Sequence, residues 1–125
     1  MSAQVRSGPI AVIFEVEPAA GARDSYLAMA AALRPELEKI DGFVSVERFH
    51  SLTNPAKLLS LSIWRDEAAL MQWRNLAEHR RAQAAGRSGM FAGYRLRVAA
   101  IVRDYGLEER DQAPTDSRAA HDAMP

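Results

Sequence analysis

Residues 63–94 open with Ile63-Trp64-Arg65-Asp66-Glu67 and continue through Ala69-Leu70-Met71-Gln72-Trp73 and Glu78-His79-Arg80-Arg81. They close with Gly86-Arg87-Ser88-Gly89-Met90-Phe91-Ala92-Gly93-Tyr94. The stretch changes period twice. A strand from Leu58 ends at Trp64, with Leu59, Leu61 and Ile63 on one face and Leu58, Ser60, Ser62 and Trp64 on the other. Asp66 and Glu67 then stand in the first turn of a helix, where carboxylates favour the dipole. Ala69, Leu70, Trp73, Leu76 and Ala77 form its apolar stripe, and it should stop near Gly86. Met90 and Phe91 read as a short turn that drops apolar groups onto the core. Gly93 opens a last strand, Tyr94 to Tyr105.

Outward from this stretch, the N-terminal side supplies the matching half. Ile10 to Glu17 is β-branched and predicts a strand with Ile10, Val12, Phe14 and Val16 on one face. Tyr26, Met29, Ala30, Leu33, Leu37 and Ile40 recur at helical spacing, so a helix is predicted from Ala22 to Ile40, kinked or split at Pro35. Gly42 suits the left-handed position that ends it. Phe43 to Ser51 alternates as a strand, with Val44, Val46, Arg48 and His50 opposite Phe43, Ser45, Glu47 and Phe49. The short link through Asn54-Pro55 makes it a hairpin with the next strand. The order is β-α-β-β-α-β, which predicts an α+β, ferredoxin-like fold with a four-stranded antiparallel sheet and two helices on one face.

That arrangement leaves the other sheet face bare, and Ala11, Ile13, Phe43 or its opposite register, Ala99 and Ile101 make it partly apolar. A homodimer through this open face is the expectation, with Glu15, Glu47, Arg48, Arg95 and Arg97 available to pair across it. Residues 1–8 are polar and read as a flexible N-terminus, residues 9–106 as the domain, and residues 107–125 as a polar, acidic tail.

Composition narrows the function. Sixteen basic and sixteen acidic residues give no net charge, which argues against nucleic acid as partner. The balance is uneven, since seven arginines face Glu78 alone between Arg74 and Arg103, while the tail is acidic. The basic part could therefore meet the tail or receive an anionic ligand. The absence of cysteine excludes disulfides and thiolate chemistry and fits a cytoplasmic protein. No run approaches the roughly 20 apolar residues of a membrane span, so no membrane partner is expected. His50, His79 and His121 lack metal-ligand spacing, and no phosphate-binding loop or nucleophile elbow is present.

Several residues on these elements carry a resemblance: Gly42-Phe43 after the first helix, Ile63-Trp64 before an acidic turn, Trp73, His79-Arg80, and Arg103-Asp104-Tyr105 ending the last strand. In this order the chain resembles the antibiotic biosynthesis monooxygenase family, small proteins that form dimeric α/β barrels. The resemblance spans about Pro9 to Gly106. It implies a pocket between helices and sheet, and oxidation of a small aromatic phenol or quinol by O₂ with no cofactor. A related branch degrades haem with a late-helix histidine, a first-strand asparagine and a tryptophan at the position of Trp64, and of these the tryptophan matches. Here Gln83 stands near the first position, His79 falls one turn early, and the first strand has no asparagine, which argues against haem.

Oxygenation of this kind needs a dry aromatic pocket, a group to take a phenolic proton and donors to hold the anion. His79 is the titratable candidate for the proton, with a helix-capping or surface role as its alternative. Arg87 and Arg80 could hold an anion, or form salt bridges to Glu78 or the tail. Tyr94 could donate to a ligand oxygen, or bond the backbone. Trp64 is either pocket wall or core, and Phe14, Met71 and Phe91 would shape the cavity. Trp73 reads as core, and His50 as structural or exposed. Against the enzyme stands a non-catalytic barrel that binds a small hydrophobic molecule or a partner.

Overall fold

A computed structural model describes residues 7–76, 80–81, 84 and 89–122. Its elements are β1 (Ile10–Pro18), α1 (Arg23–Glu38), β2 (Phe43–His50), β3 (Leu58–Trp64), α2 (Glu67–Arg74), β4 (Phe91–Ala100) and α3 (Thr115–His121). The four strands form one sheet in the order β2-β3-β1-β4, with every pair antiparallel. The β-α-β-β-α-β expectation holds.

Alternation along β1 assigns the faces. Ile10, Val12 and Val16 are buried toward the helices, while Ala11 and Ile13 point away and are only half-buried. α1 lays Tyr26, Ala30 and Leu37 on the sheet, with Leu33 and Ile40 packed beside them. It runs unbroken through Pro35. Pro35 is exposed and falls in the last turn, where few backbone hydrogen bonds remain to be lost, and Leu33 and Leu37 anchor the helix on either side. The apolar groups gather in two clusters. One joins Ile10, Val12, Leu37, Val46, Trp64, Leu70 and Trp73, and the other joins Val16, Tyr26 and Leu58 with Phe14 and Phe91 against them.

β2 departs from simple alternation. Its register against β3 shifts between Phe43, opposite Trp64, and Ser45, opposite Ile63. The irregularity places Phe43 and Val46 on the same, helix-facing side and leaves Val44 60% exposed. The Phe43 ring meets Trp64 edge-on, with centroids 5.5 Å apart. Phe43 is therefore core, and alternation of Val44 with Val46 is broken.

The turn into α2 is held from both sides. Asp66 is the N-cap, and its carboxylate accepts the Ala69 N–H at 2.9 Å. That bond holds the carboxyl below its ordinary range, and Arg65 adds to the effect. The Gly42 carbonyl accepts the Arg65 N–H at 2.7 Å. Gly42 has φ +97°, and a Cβ there would stand 2.7 Å from the Ala69 Cβ. The glycine thus lets the loop after α1 pass against the start of α2.

β4 starts earlier and stops earlier than its pattern suggests. Beyond the Ile10–Ala100 pair only the Ile101 N–H finds β1's side of the sheet, at Pro9 O, because β1 has ended. The tail turns out to carry α3. Arg110 organises it, donating to Asp122, to the Gly106 carbonyl and to Ser117 Oγ, with its guanidinium over the Tyr105 ring. Among the described residues Asp122 of this tail pairs with Arg110 and Arg118, within the tail itself. No helix among the described residues is long and apolar enough to cross a membrane.

Candidate active site

A cavity of about 480 Å³ lies between the helix-facing side of the sheet and the two helices. Its wall draws on both apolar clusters. Val12 and Phe14 come from β1, Tyr26 to Leu37 from α1, Trp64 from the end of β3, and Leu70 and Trp73 from α2. Tyr94, Leu96 and Val98 of β4 complete it, yet they stay 55%, 52% and 42% exposed, because β4 lies at the sheet edge.

Aromatic rings concentrate at one end. Phe91 sits 6.0 Å from Phe14, 5.6 Å from Tyr26 and 6.0 Å from Tyr94, and Phe14 sits 5.8 Å from Tyr94. Such tilted and edge-on contacts fix the rings without filling the space between them. Trp64 is fully buried, and its Nε1–H donates to Ser62 Oγ at 2.9 Å. The indole therefore offers a ligand only its apolar surface.

The register lays two rows across the cavity floor. Arg48 of β2 faces Ser60 of β3, which faces Phe14 of β1, which faces Leu96 of β4. The second row runs Val46, Ser62, Val12, Val98. The floor is polar at Arg48, Ser60 and Ser62 and apolar at Val46 and under β1 and β4. Arg48 consequently faces the cavity and not the open sheet face.

Trp64, Phe14, Phe91, Tyr94 and Arg80, singled out from the sequence, all reach this wall. Arg80 donates through Nη2 to Asn75 Oδ1 at 2.7 Å. Met71 is not on the wall; its carbonyl accepts the Asn75 side chain. His79 and Arg87 lie outside the described residues, as does Gln83. His50 is exposed and lies 2.9 Å from Arg23 and 3.0 Å from the Pro55 carbonyl. Trp73 serves as both core and cavity wall. Sequence reading missed Arg48, Ser60 and Tyr26 as site residues. The signal for Arg48 was its place two residues after Val46 in the same alternation. Among the described residues no group of three His, Asp or Glu side chains could hold a metal ion.

The fold is that of a small α+β protein with a cavity between its sheet and its two main helices. The model of the antibiotic biosynthesis monooxygenase family matches residues 9–85, and the chain belongs to that family. It is 44% identical over 113 residues to the jasmonate monooxygenase ABM of Pyricularia oryzae, covering 90% of this chain and 53% of that protein. The chain thus spans about half the length of that relative. Two solved structures share the fold. Rv0793 from Mycobacterium tuberculosis superposes with a TM-score of 0.71 at 21% identity, covering 79% of this chain and 100% of that one. SO0527 from Shewanella oneidensis gives 0.69 at 13% identity, covering 78% and 95%.

Proposed function

We propose that this protein is a monooxygenase that works without metal or organic cofactor on a small, mostly apolar ring compound, with a phenol or quinol as the first candidate. The observation that supports this reading most is the 480 Å³ cavity with its aromatic end at Phe14, Phe91 and Tyr94, in a chain of this family. The substrate supplies the electrons. Loss of the phenolic proton gives an anion that passes one electron to dioxygen. The ring radical and superoxide then join in a C–O bond, and the resulting hydroperoxide loses water. The phenol becomes a quinone, one oxygen atom enters the product and the other leaves as water. Tyr94 is the proposed donor to the substrate oxygen. His79 is the proposed proton acceptor, and Arg87, with Arg80, the proposed cation beside the anion.

The name of the Pyricularia oryzae relative favours a second reading, in which the substrate is a jasmonate-like cyclic keto acid. One experiment addresses both. The protein is incubated with hydroxynaphthalenes and anthrone alone, and with jasmonic acid plus ascorbate as an added two-electron reductant, under isotopically heavy dioxygen, and products are weighed by mass spectrometry against protein-free controls. One heavy oxygen atom per product is expected for at least one class. Identical products with and without oxygen would defeat the oxygenase reading and leave a binding module.

We further propose that a second copy of the chain covers the open sheet face. Ile13, Leu59, Leu61 and Ile63 lie there half-buried. Glu15 on the same face is bonded within the chain by Arg97 and by Lys57, the latter at 3.2 Å, so a partner would meet neutralised charge.

A further inference from the structure

The geometry points to Arg48 as the anchor for a carboxylate, so that the cavity takes an apolar ring compound bearing one carboxylate group. This rests on the small-molecule reading of the cavity given above and adds the chemical class of its ligand.

Arg48 stands on the cavity wall, and its Nε is buried with no hydrogen-bond partner. No carboxylate among the described residues pairs with its guanidinium. A guanidinium N–H buried without a partner is unfavourable, and a ligand oxyanion beside Arg48 would supply one. The other arginines of the wall are differently placed. Arg34 pairs with Glu38 at 2.8 Å, and Arg80 donates to Asn75. Arg74 ends α2, where the helix's carbonyl end balances a cation. No Asp or Glu lines the cavity among the described residues, so an entering anion meets no like charge.

The surroundings narrow the anion. Ser60 is Arg48's direct cross-strand neighbour. Ser62 accepts from Trp64, which leaves its own hydroxyl proton for a ligand oxygen. One guanidinium fork and two hydroxyls match the two oxygens of a carboxylate and are few for a phosphate dianion. From Arg48 the floor runs over Ser60 to Phe14 and Leu96, three strand spacings or roughly 14 Å. A ligand with its carboxylate at β2 would lay its apolar body over β1 and β4.

The test is an oxygen-free calorimetric titration with 1-naphthylacetic acid and with its methyl ester, which differ in charge and barely in shape. The unaltered protein should bind the acid about 10- to 100-fold more tightly than the ester, the usual worth of a charge-assisted bond. Arg48→Met should remove that preference, and Arg48→Lys should keep part of it. Equal binding of acid and ester by the unaltered protein would overturn the proposal, as would failure of the acid to bind. Retention of the preference in Arg48→Met would overturn it too. If Arg48→Met does not fold, the acid-to-ester ratio of the unaltered protein and of Arg48→Lys decides. A protein that oxygenates neutral substrates yet shows no acid preference removes this inference alone. A protein that prefers the acid but incorporates no oxygen removes the oxygenase reading alone.

Discussion

Gly42 offers a measurable test of how α2 is seated on the sheet. Gly42→Ala adds one methyl group at φ +97°, where a Cβ would lie 2.7 Å from the Ala69 Cβ and 3.2 Å from the Arg65 guanidinium carbon. The left-handed backbone should cost about 1–2 kcal/mol for an alanine. The Ala69 methyl is buried on a capped helix start and cannot swing aside, so overpacking should add about 1–3 kcal/mol. Gly21 is the control, because its φ is +79° and a Cβ there would meet nothing within 4 Å. Gly21→Ala should therefore carry the backbone term alone. Urea unfolding at fixed pH and protein concentration measures both. At an unchanged slope of about 1–3 kcal/mol per molar, Gly42→Ala should lower the midpoint by roughly 1–2 M. Adding Ala69→Gly should return the contact part but not the backbone part, giving a favourable coupling in the double-mutant cycle. Equal midpoints for Gly42→Ala and Gly21→Ala, or strict additivity with Ala69→Gly, would refute the contact argument.

Three further outcomes are expected. The Glu15 carboxyl is held below its ordinary value of 4.5, first by the Arg97 hydrogen bond and then by Lys57. A depressed folded value means stabilisation that is complete above the unfolded value and fades as pH falls through the folded one. The stability advantage over Glu15→Gln should thus be level near neutrality and disappear on acidification below 4.5, as followed by urea midpoints across pH. Trp64→Ala should cost about 3–5 kcal/mol by the same unfolding assay, since it empties a fully buried indole site, whereas Trp64→Phe should keep most of the stability. Leu61→Glu, opposite Ile13 on the open face, should convert a dimer to a monomer in light scattering without lowering the helix signal in circular dichroism.

α1, α2, β1 and β3 were legible from the period of their sequences, whereas β4, exposed along most of its length, was legible in kind but not in its bounds. The stripe from Tyr26 to Leu37 and the alternation from Ile10 to Val16 each lie on one packed face. The same alternation made Phe14, Trp64 and Tyr94 readable as cavity neighbours, since each stands in the helix-facing register of its strand. β2 was less legible. A register irregularity has no compositional mark, and Val44 and Val46 look equivalent until the pairing with β3 separates them. Arg48 suffers from the opposite bias, in which a charged side chain on a strand is read as surface although it shares the alternation of Val46, and the pairing with Ser60 puts it over the cavity floor. α3 has no apolar stripe; its position depends on Arg110, a single residue whose partners are spread from Gly106 to Asp122.

That dependence has a kinetic side. Among residues 102–122 only Ala113 is buried, so hydrophobic burial contributes little to holding this segment closed. Much of the closure runs through one guanidinium, which bonds the Gly106 carbonyl and the Ser117 and Asp122 side chains, and breaking its contacts releases all three at once. Amide exchange between Gly106 and Asp122 should therefore proceed as a single cooperative opening, well ahead of the sheet and uncoupled from it. A protease sampling the native protein would meet the chain there first, at a frequency set by Arg110.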